Sequence, residues 1–160
     1  MTRSDPEVKF STDVTEVVES LRNSGFATSN ADVIMFGASL AYKLGVISYA
    51  PSTKLYVRLG VLVRQPNFES YCVALMLANR HRYGHSITNE SLSLEANISY
   101  LSQMANSGLM HLKETMSNFN REASALVPDL IQEALGLKTE TLDASNLIEI
   151  SKTIVFESNE

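Results

Sequence analysis

A long run of regularly spaced apolar and small residues constrains the fold more than any other feature of the sequence. From residue 94 to residue 119 these residues recur at alternating steps of four and three, close to the heptad spacing of one helix face. The positions are Leu94, Ile98, Leu101, Ala105, Gly108, Leu112, Thr115 and Phe119. Because an α-helix has about 3.6 residues per turn, the run predicts one helix of roughly seven turns, or two helices with a break at 106–108.

The N-terminal part of the chain predicts a strand followed by two helices. Residues 7–10 alternate polar and apolar side chains, which is the period of a half-buried strand. Residues 11–13 are a typical helix start, and apolar residues at helical spacing follow until Gly25 can end the helix. Ser29 or Asn30 is then placed to cap a second helix.

The order strand, helix, turn, helix over residues 7–45 is that of ribbon-helix-helix proteins, in which strands of two chains pair into a ribbon. Such ribbons enter the major groove of DNA. On this interpretation Lys9 faces the bases, and amides near Ser29 and Asn30 hold a phosphate. The alternative is a strand that pairs inside its own domain, with two core helices behind it.

Residues 46–66 have the least decisive pattern. Pro51 indicates a turn, and the apolar segment 55–63 fits either a strand or a short helix. Its leucines are helically spaced, whereas its valines and its tyrosine favour extended chain. A helix is the favoured prediction for this segment.

The expected fold is therefore mainly α, a short N-terminal strand followed by a helical bundle, in a single domain over 1–160. Its parts are a ribbon-helix-helix-like element at 7–45, a helical part at 68–136 and a C-terminal tail at 137–160. A third helix begins near Phe68 in this prediction. The size suits one core, because a chain of 160 residues can bury most of its apolar surface in one domain.

Composition excludes several classes of protein. The 44% hydrophobic content argues against disorder, which needs low hydrophobicity and high net charge. No stretch approaches the roughly 18 consecutive apolar residues of a membrane span. One cysteine excludes an internal disulfide, and the first residues lack the apolar core of a secretory signal. We expect a cytoplasmic protein that does not bind membranes.

The net charge of −5 is unevenly distributed along the chain. Residues 1–90 carry nine Lys or Arg and eight Asp or Glu, whereas residues 91–160 carry four and ten. Non-specific binding to nucleic acid depends mostly on the neutralisation of phosphates by Lys and Arg. Any contact with DNA is therefore expected in the N-terminal half, with basic residues gathered on one face or doubled by dimerisation.

The sequence offers little for catalysis. It contains no glycine-rich nucleotide-binding motif and no CxxC pair. His81 and His85 have the spacing of two metal ligands on a helix, but Gly84 lies between them at an expected helix end. Cys72 lies in an apolar helical run, where a buried and inert thiol is expected. We expect no enzyme activity, no cofactor and no metal.

A set of basic residues is interleaved with tyrosines, a combination that can bind a nucleic-acid backbone and stack bases. The basic residues are Lys43, Lys54, Arg58, Arg64, Arg80 and Arg82, and the tyrosines are Tyr42, Tyr49, Tyr56 and Tyr83. The candidate DNA-binding residues are Lys9, Ser29, Asn30, Lys43, Arg58 and Arg64. Scattered solubilising charges are the alternative interpretation, since residues on several elements need not share a face.

Two segments resemble a known family. Residues 32–45, D-V-I-M-F-G-A-S-L-A-Y-K-L-G, and residues 104–109, M-A-N-S-G-L, are similar to motifs of small proteins associated with the Dnd system of bacterial DNA phosphorothioation. In order and spacing the resemblance covers residues 7–135. It implies a role in a modification or restriction system for defence against phage, and it supplies no catalytic residues.

Together these patterns predict a non-enzymatic accessory or interaction protein of a phosphorothioation-linked defence system. A homodimeric DNA-binding protein or transcriptional regulator with a ribbon-helix-helix-like N-terminus is the alternative. The expected partners are a second copy of the chain or other defence proteins, with DNA as a further possibility. The interaction seam is predicted at Leu94, Ile98, Leu101, Leu112 and Phe119.

Overall fold

The computed structural model describes residues 5–47 and 53–134 of the chain, and the predicted tail at 137–160 lies outside them. The protein is mainly helical with a short N-terminal strand, as predicted, and this strand is part of a hairpin. Its strands are β1 (Glu7–Ser11) and β2 (Thr53–Arg58), and its helices are α1 (Thr15–Asn23), α2 (Asn30–Leu44), α3 (Leu59–Leu62), α4 (Phe68–Arg82), α5 (Ile98–Phe119) and α6 (Ala123–Ala134). Two short 3₁₀ helices cover Thr12–Val14 and Asn89–Leu92.

Backbone contacts divide the chain into two compact units, Met1–Leu126 and Val127–Glu160. The elements from β1 to α5 all belong to the first unit. None of the helices in the described ranges is both long and apolar enough to cross a membrane.

The part of the periodic run from Ile98 to Phe119 forms one continuous helix, α5, so of the two alternatives the break at 106–108 does not occur. Leu94, the first residue of the run, precedes the helix. Its most extensive contact is with α2. The two helices touch backbone to backbone, because a Cβ atom built on Gly108 would lie 1.9 Å from the carbonyl oxygen of Gly37. A Cβ atom on Gly37 would lie 2.6 Å from the carbonyl oxygen of Ala105. Glycine at both positions therefore lets α2 and α5 approach this closely.

The predicted N-terminal strand is present, and its partner is a strand of the same chain. β1 pairs antiparallel with β2, with Val8 opposite Val57 and Lys9 opposite Tyr56. Val8 is fully buried whereas Lys9 is exposed, as the alternation predicts. The alternative interpretation, in which the strand pairs inside its own domain, describes this arrangement.

The other edge of β1 is occupied by side chains of α5. The amide of Lys9 donates to Ser102 Oγ at 3.1 Å, and the amide of Ser11 donates to Asn106 Oδ1 at 2.7 Å. Asn106 Nδ2 in turn donates to the carbonyl of Lys9 at 2.7 Å. The backbone groups with which β1 would pair with a second chain are thus already used, because β2 lies on one side and α5 on the other.

Residues 55–58 form part of β2, so the favoured helix was wrong there and correct only for the single turn Leu59–Leu62. Residues 55–58 form a strand because β1 offers them a hydrogen-bonding edge, and because Tyr56 and Val57 suit extended backbone.

Candidate nucleic-acid interface

The C-terminal ends of α2 and α4 are tied together by aromatic and basic side chains. The guanidinium of Arg82 stacks over the ring of Tyr42, 3.9 Å from its centroid, and also donates a hydrogen bond to the Tyr42 carbonyl. The hydroxyl of Tyr83 donates to the carbonyl of Gly45 at 2.7 Å. Gly45 ends α2 in the left-handed conformation, with a φ of 70°. These contacts satisfy carbonyl groups that a helix end otherwise leaves unpaired.

The first turns of α5 complete the same surface. The guanidinium of Arg80 lies 5.5 Å from the ring centroid of Tyr100 and donates to Asn97 Oδ1 at 2.7 Å. The fully buried Asn79 donates to the hydroxyl of Tyr100. We call the whole set the basic-aromatic cluster, and its members are Tyr42, Lys43, Arg80, Arg82, Tyr83, His85, Tyr100 and Gln103.

A shallow cavity of about 350 Å³ opens within the cluster. This volume is at the lower end of the range for small-ligand pockets, about 300–1,000 Å³. Its lining residues are Gly45, Ile47, Tyr83, His85, Tyr100 and Gln103. Two tyrosine rings, an imidazole and an amide thus surround a space that suits a flat, polar ring such as a nucleobase.

The charge around this cavity is positive. The segments 42–47, 80–85 and 100–103 contain Lys43, Arg80 and Arg82 and no Asp or Glu. The next acid along the chain from Arg82 is Glu90, on the 3₁₀ helix that packs against α4. The cluster can therefore attract a phosphate backbone while offering rings on which bases stack.

The four basic residues among the predicted DNA-binding residues fall at three separate places. Lys43 lies in the basic-aromatic cluster. Lys9 and Arg58 share the outer face of the hairpin with Tyr56, because Lys9 lies opposite Tyr56 and all three side chains are exposed. Arg64 is exposed on the segment between α3 and α4.

The start of α2, where Ser29 and Asn30 were expected to hold a phosphate, already contains a carboxylate. Asp32 Oδ2 accepts hydrogen bonds from the amides of Thr28 and Ser29, at 2.9 and 2.8 Å, and from both of their hydroxyls. Partial burial acts to raise the pKa of Asp32, but these hydrogen bonds outweigh it and hold the pKa below the ordinary value. Asp32 thus takes the place of an anion, so we leave Ser29 and Asn30 out of the interface.

The predicted interaction seam lies mostly inside the molecule. Leu94, Leu101 and Leu112 are buried in the core, and Ile98 is half-buried. Phe119, at the end of α5, is 67% exposed. The apolar face of α5 is therefore used to hold this chain together, and Phe119 is the seam residue with most of its surface free for a partner.

Of the residues considered for catalysis, Cys72 and His81 lie on α4, and His85 follows the end of that helix. Cys72 is fully buried, as expected, and burial raises the pKa of its thiol to about 12. His81 and His85 are exposed at the end of α4. Within the described ranges, no group of three or more His, Cys, Asp or Glu side chains could hold a metal ion.

Sequence reasoning missed the contribution of α5 to the cluster. Asn97, Tyr100 and Gln103 recur every three residues beside the apolar run, so a second, polar face of α5 was visible in the sequence. Which helix ends would meet this face depends on the crossing of α2 and α5. Comparison of the chain with protein-family models, with curated proteins and with solved structures found no match in any of the three.

Proposed function

We propose that this protein is a non-enzymatic accessory protein that binds single-stranded or locally opened nucleic acid through the basic-aromatic cluster. The observation that carries the proposal is a cavity lined by Tyr83 and Tyr100. The segments that form it also carry Tyr42, Lys43, Arg80 and Arg82 and contain no acids. Lysine and arginine side chains neutralise phosphates, and tyrosine rings stack on bases of any sequence. The proposed role therefore requires a positive surface and exposed rings, and no bond-making chemistry.

The groups in the cluster are available to a ligand in different degrees. Lys43 is exposed, and the ring of Tyr83 is 47% exposed. Arg82 donates one hydrogen bond to Tyr42, which leaves most of the five guanidinium N–H groups for phosphate oxygens. Its stacking on Tyr42 also fixes the guanidinium in one orientation, which lowers the entropy cost of binding.

The family resemblance supports a place for this activity in a DNA phosphorothioation-linked defence system of the bacterial cytoplasm. The segment 32–45 contains both Gly37 of the helix crossing and Tyr42 and Lys43 of the cluster. The segment 104–109 contains Gly108, which meets Gly37. The two motifs are thus neighbours in space. The last residues of the first motif, which include Tyr42 and Lys43, form part of the proposed interface. Self-association and docking onto other defence proteins stay part of the proposal.

Fluorescence anisotropy with labelled oligonucleotides tests the proposal. Single strands should bind at low salt, and the affinity should fall as salt rises, with a slope of about −0.7 per phosphate contacted. Single-stranded and duplex probes, each with and without a phosphorothioate linkage, would show which form is preferred.

The matched variants are Lys43→Glu, inside the cluster, and Arg64→Glu, outside it. Both reverse one exposed positive charge, so a general electrostatic effect weakens binding equally. We expect a loss of about tenfold for Lys43→Glu and a much smaller loss for Arg64→Glu. Equal losses, or no binding by the unaltered protein at low salt, would contradict the proposal.

A further inference from the structure

The two strands of the hairpin differ in how their outer edges are used. β1 is paired on both sides, with β2 and with side chains of α5. In the part of the chain that the structure describes, β2 pairs with β1 alone. Unpaired strand edges present a row of N–H and C=O groups that can accept a further strand.

The register shows which groups of β2 face outwards. Residues directly opposite each other in an antiparallel pair either exchange both hydrogen bonds or point both groups away. Lys9 directs its N–H and its C=O towards α5, so its opposite residue Tyr56 directs both of its groups to the free edge. The amide of Leu59 donates to the carbonyl of Pro6 at 2.7 Å, which confirms that odd-numbered residues of this segment point inwards.

Apolar side chains border this edge. On β2 itself, Tyr56 is 58% exposed and Leu55 is 36% exposed. In strand addition the main chain supplies affinity, and the side chains beside the edge supply specificity.

Charge indicates the kind of partner. β2 contains Lys54 and Arg58 and no Asp or Glu, and Glu7 lies on β1 opposite Arg58. Just after the strand, the amide of Gly60 donates to the carboxylate of Asp5 at 3.2 Å. A second copy of β2 would bring like charges together across the new strand pair, which is unfavourable. An extended segment that alternates apolar and acidic residues satisfies both the backbone edge and the charge.

We propose that the outer edge of β2 binds an acidic, extended segment of another protein as a third strand of the sheet. This surface is separate from the basic-aromatic cluster, and the inference does not rest on nucleic-acid binding. It gives the protein a docking site for a larger partner, in place of the seam that is buried in the core.

The probe is a labelled peptide of about eight residues that alternates valine and glutamate, with a valine–lysine peptide as its control. We expect saturable binding of the acidic peptide and weaker binding of the basic one. Tyr56→Pro removes the outward N–H and leaves the pairing of β1 with β2 intact, because proline is tolerated at a strand edge. It should weaken binding roughly tenfold, through one lost hydrogen bond and a poorer fit.

Arg58→Glu should also weaken binding of the acidic peptide by roughly tenfold, whereas Lys43→Glu, in the basic-aromatic cluster, should leave it unchanged. Circular dichroism checks that each variant is folded, and Tyr56→Phe, which keeps the N–H, serves as a second check should Tyr56→Pro unfold.

Equal binding of the two peptides, or no saturable binding of either, overturns the proposal. So does a dimer in light scattering that Tyr56→Pro dissociates, because a second copy would then occupy the edge. Binding of duplex DNA that Arg58→Glu abolishes while peptide binding is absent would assign the edge to nucleic acid instead.

Discussion

The crossing of α2 with α5 and the basic-aromatic cluster both include residues of α2, and they differ in which substitutions they can tolerate. At the crossing, Gly37 and Gly108 place two backbones in contact, so an added atom meets a carbonyl group that cannot move aside. At the cluster, Lys43 and the ring of Tyr83 are exposed, so substitutions there leave the packing almost untouched. One helix thus carries a part that determines stability and a part free to serve binding. Variants in the two regions should therefore separate folding from function.

The largest effect is expected from Gly108→Ala. Alanine is favoured over glycine inside a helix by about 1 kcal/mol, so the helix itself would gain stability. The new Cβ atom, however, would lie 1.9 Å from the carbonyl oxygen of Gly37 and 3.0 Å from the amide nitrogen of Ala41, so α2 and α5 must move apart. We expect a net loss of about 3 kcal/mol or more in the free energy of unfolding, measured by urea denaturation.

Ser117→Ala is the control for Gly108→Ala, because Ser117 is exposed on the same helix. It should change the free energy of unfolding by no more than about 0.5 kcal/mol. A stable Gly108→Ala variant would show that the two helices can separate freely, and the contrast between crossing and cluster would fail.

The second effect concerns the hydrogen bonds that Asn106 of α5 makes with the backbone of β1. Asn106→Ala removes the partners of the Ser11 amide and the Lys9 carbonyl, and Ser11 is fully buried. A buried group left without a hydrogen bond costs about 1–3 kcal/mol. We expect a loss of about 2–3 kcal/mol and faster hydrogen exchange at the Ser11 amide.

Asn106→Asp is the informative companion to Asn106→Ala. A carboxylate keeps an acceptor for the Ser11 amide but loses the donor to the Lys9 carbonyl. Exchange at Ser11 should then stay slower than in Asn106→Ala. Equal exchange rates in the two variants would mean that the contact to Ser11 does not protect the strand.

Helix α5 and strand β1 were largely predictable from the sequence. Periodicity is a local property, and it predicted the α5 run and the alternation of Val8 and Phe10 correctly. The strand at 55–58 was not predictable, because its formation depends on an edge of β1 that lies more than forty residues away. The sequence also could not show whether the seam packs against a partner or within the chain, because Leu101 and Leu112 suit both kinds of helix contact. In the structure they are buried in the core.

The cluster was only partly predictable for the same reason. Arg80, Arg82, Tyr42 and Tyr83 were recognised as part of a basic and aromatic set, whereas Tyr100 was not. Their common face arises from the packing of α2, α4 and α5. At the predicted phosphate site, the carboxylate of Asp32, three residues after Ser29, accepts a hydrogen bond from the Ser29 amide. Both residues are visible in the sequence, but this contact was not anticipated.

The third effect should appear in binding and leave stability nearly unchanged. Tyr83→Ala removes a half-exposed ring from the cavity, and loss of one base-stacking ring costs about 1–3 kcal/mol of binding. Tyr83→Phe keeps the ring and loses only the hydrogen bond to the Gly45 carbonyl. We expect oligonucleotide affinity to fall roughly tenfold for alanine and little for phenylalanine. Equal losses would assign the role of Tyr83 to the hydrogen bond, and the cavity would then not be a stacking site.

The smallest effect concerns the first turn of α2, where the cap of the helix depends on pH. The pKa of Asp32 is held below its ordinary value of 3.8, because Thr28 and Ser29 donate hydrogen bonds to the carboxylate. A carboxylate whose pKa is lower in the folded state stabilises the fold above its unfolded pKa, and this contribution is lost as the pH falls through the folded value. Asp32→Asn removes the charge, so its free energy of unfolding should be lower than that of the unaltered protein by about 0.5–1 kcal/mol at neutral pH. The difference should shrink below about pH 4 and vanish once the carboxylate is protonated in both states, as urea denaturation from neutral pH to pH 2 would show. A difference independent of pH would mean that shape rather than charge makes this cap, and a phosphate could then compete for the same amides.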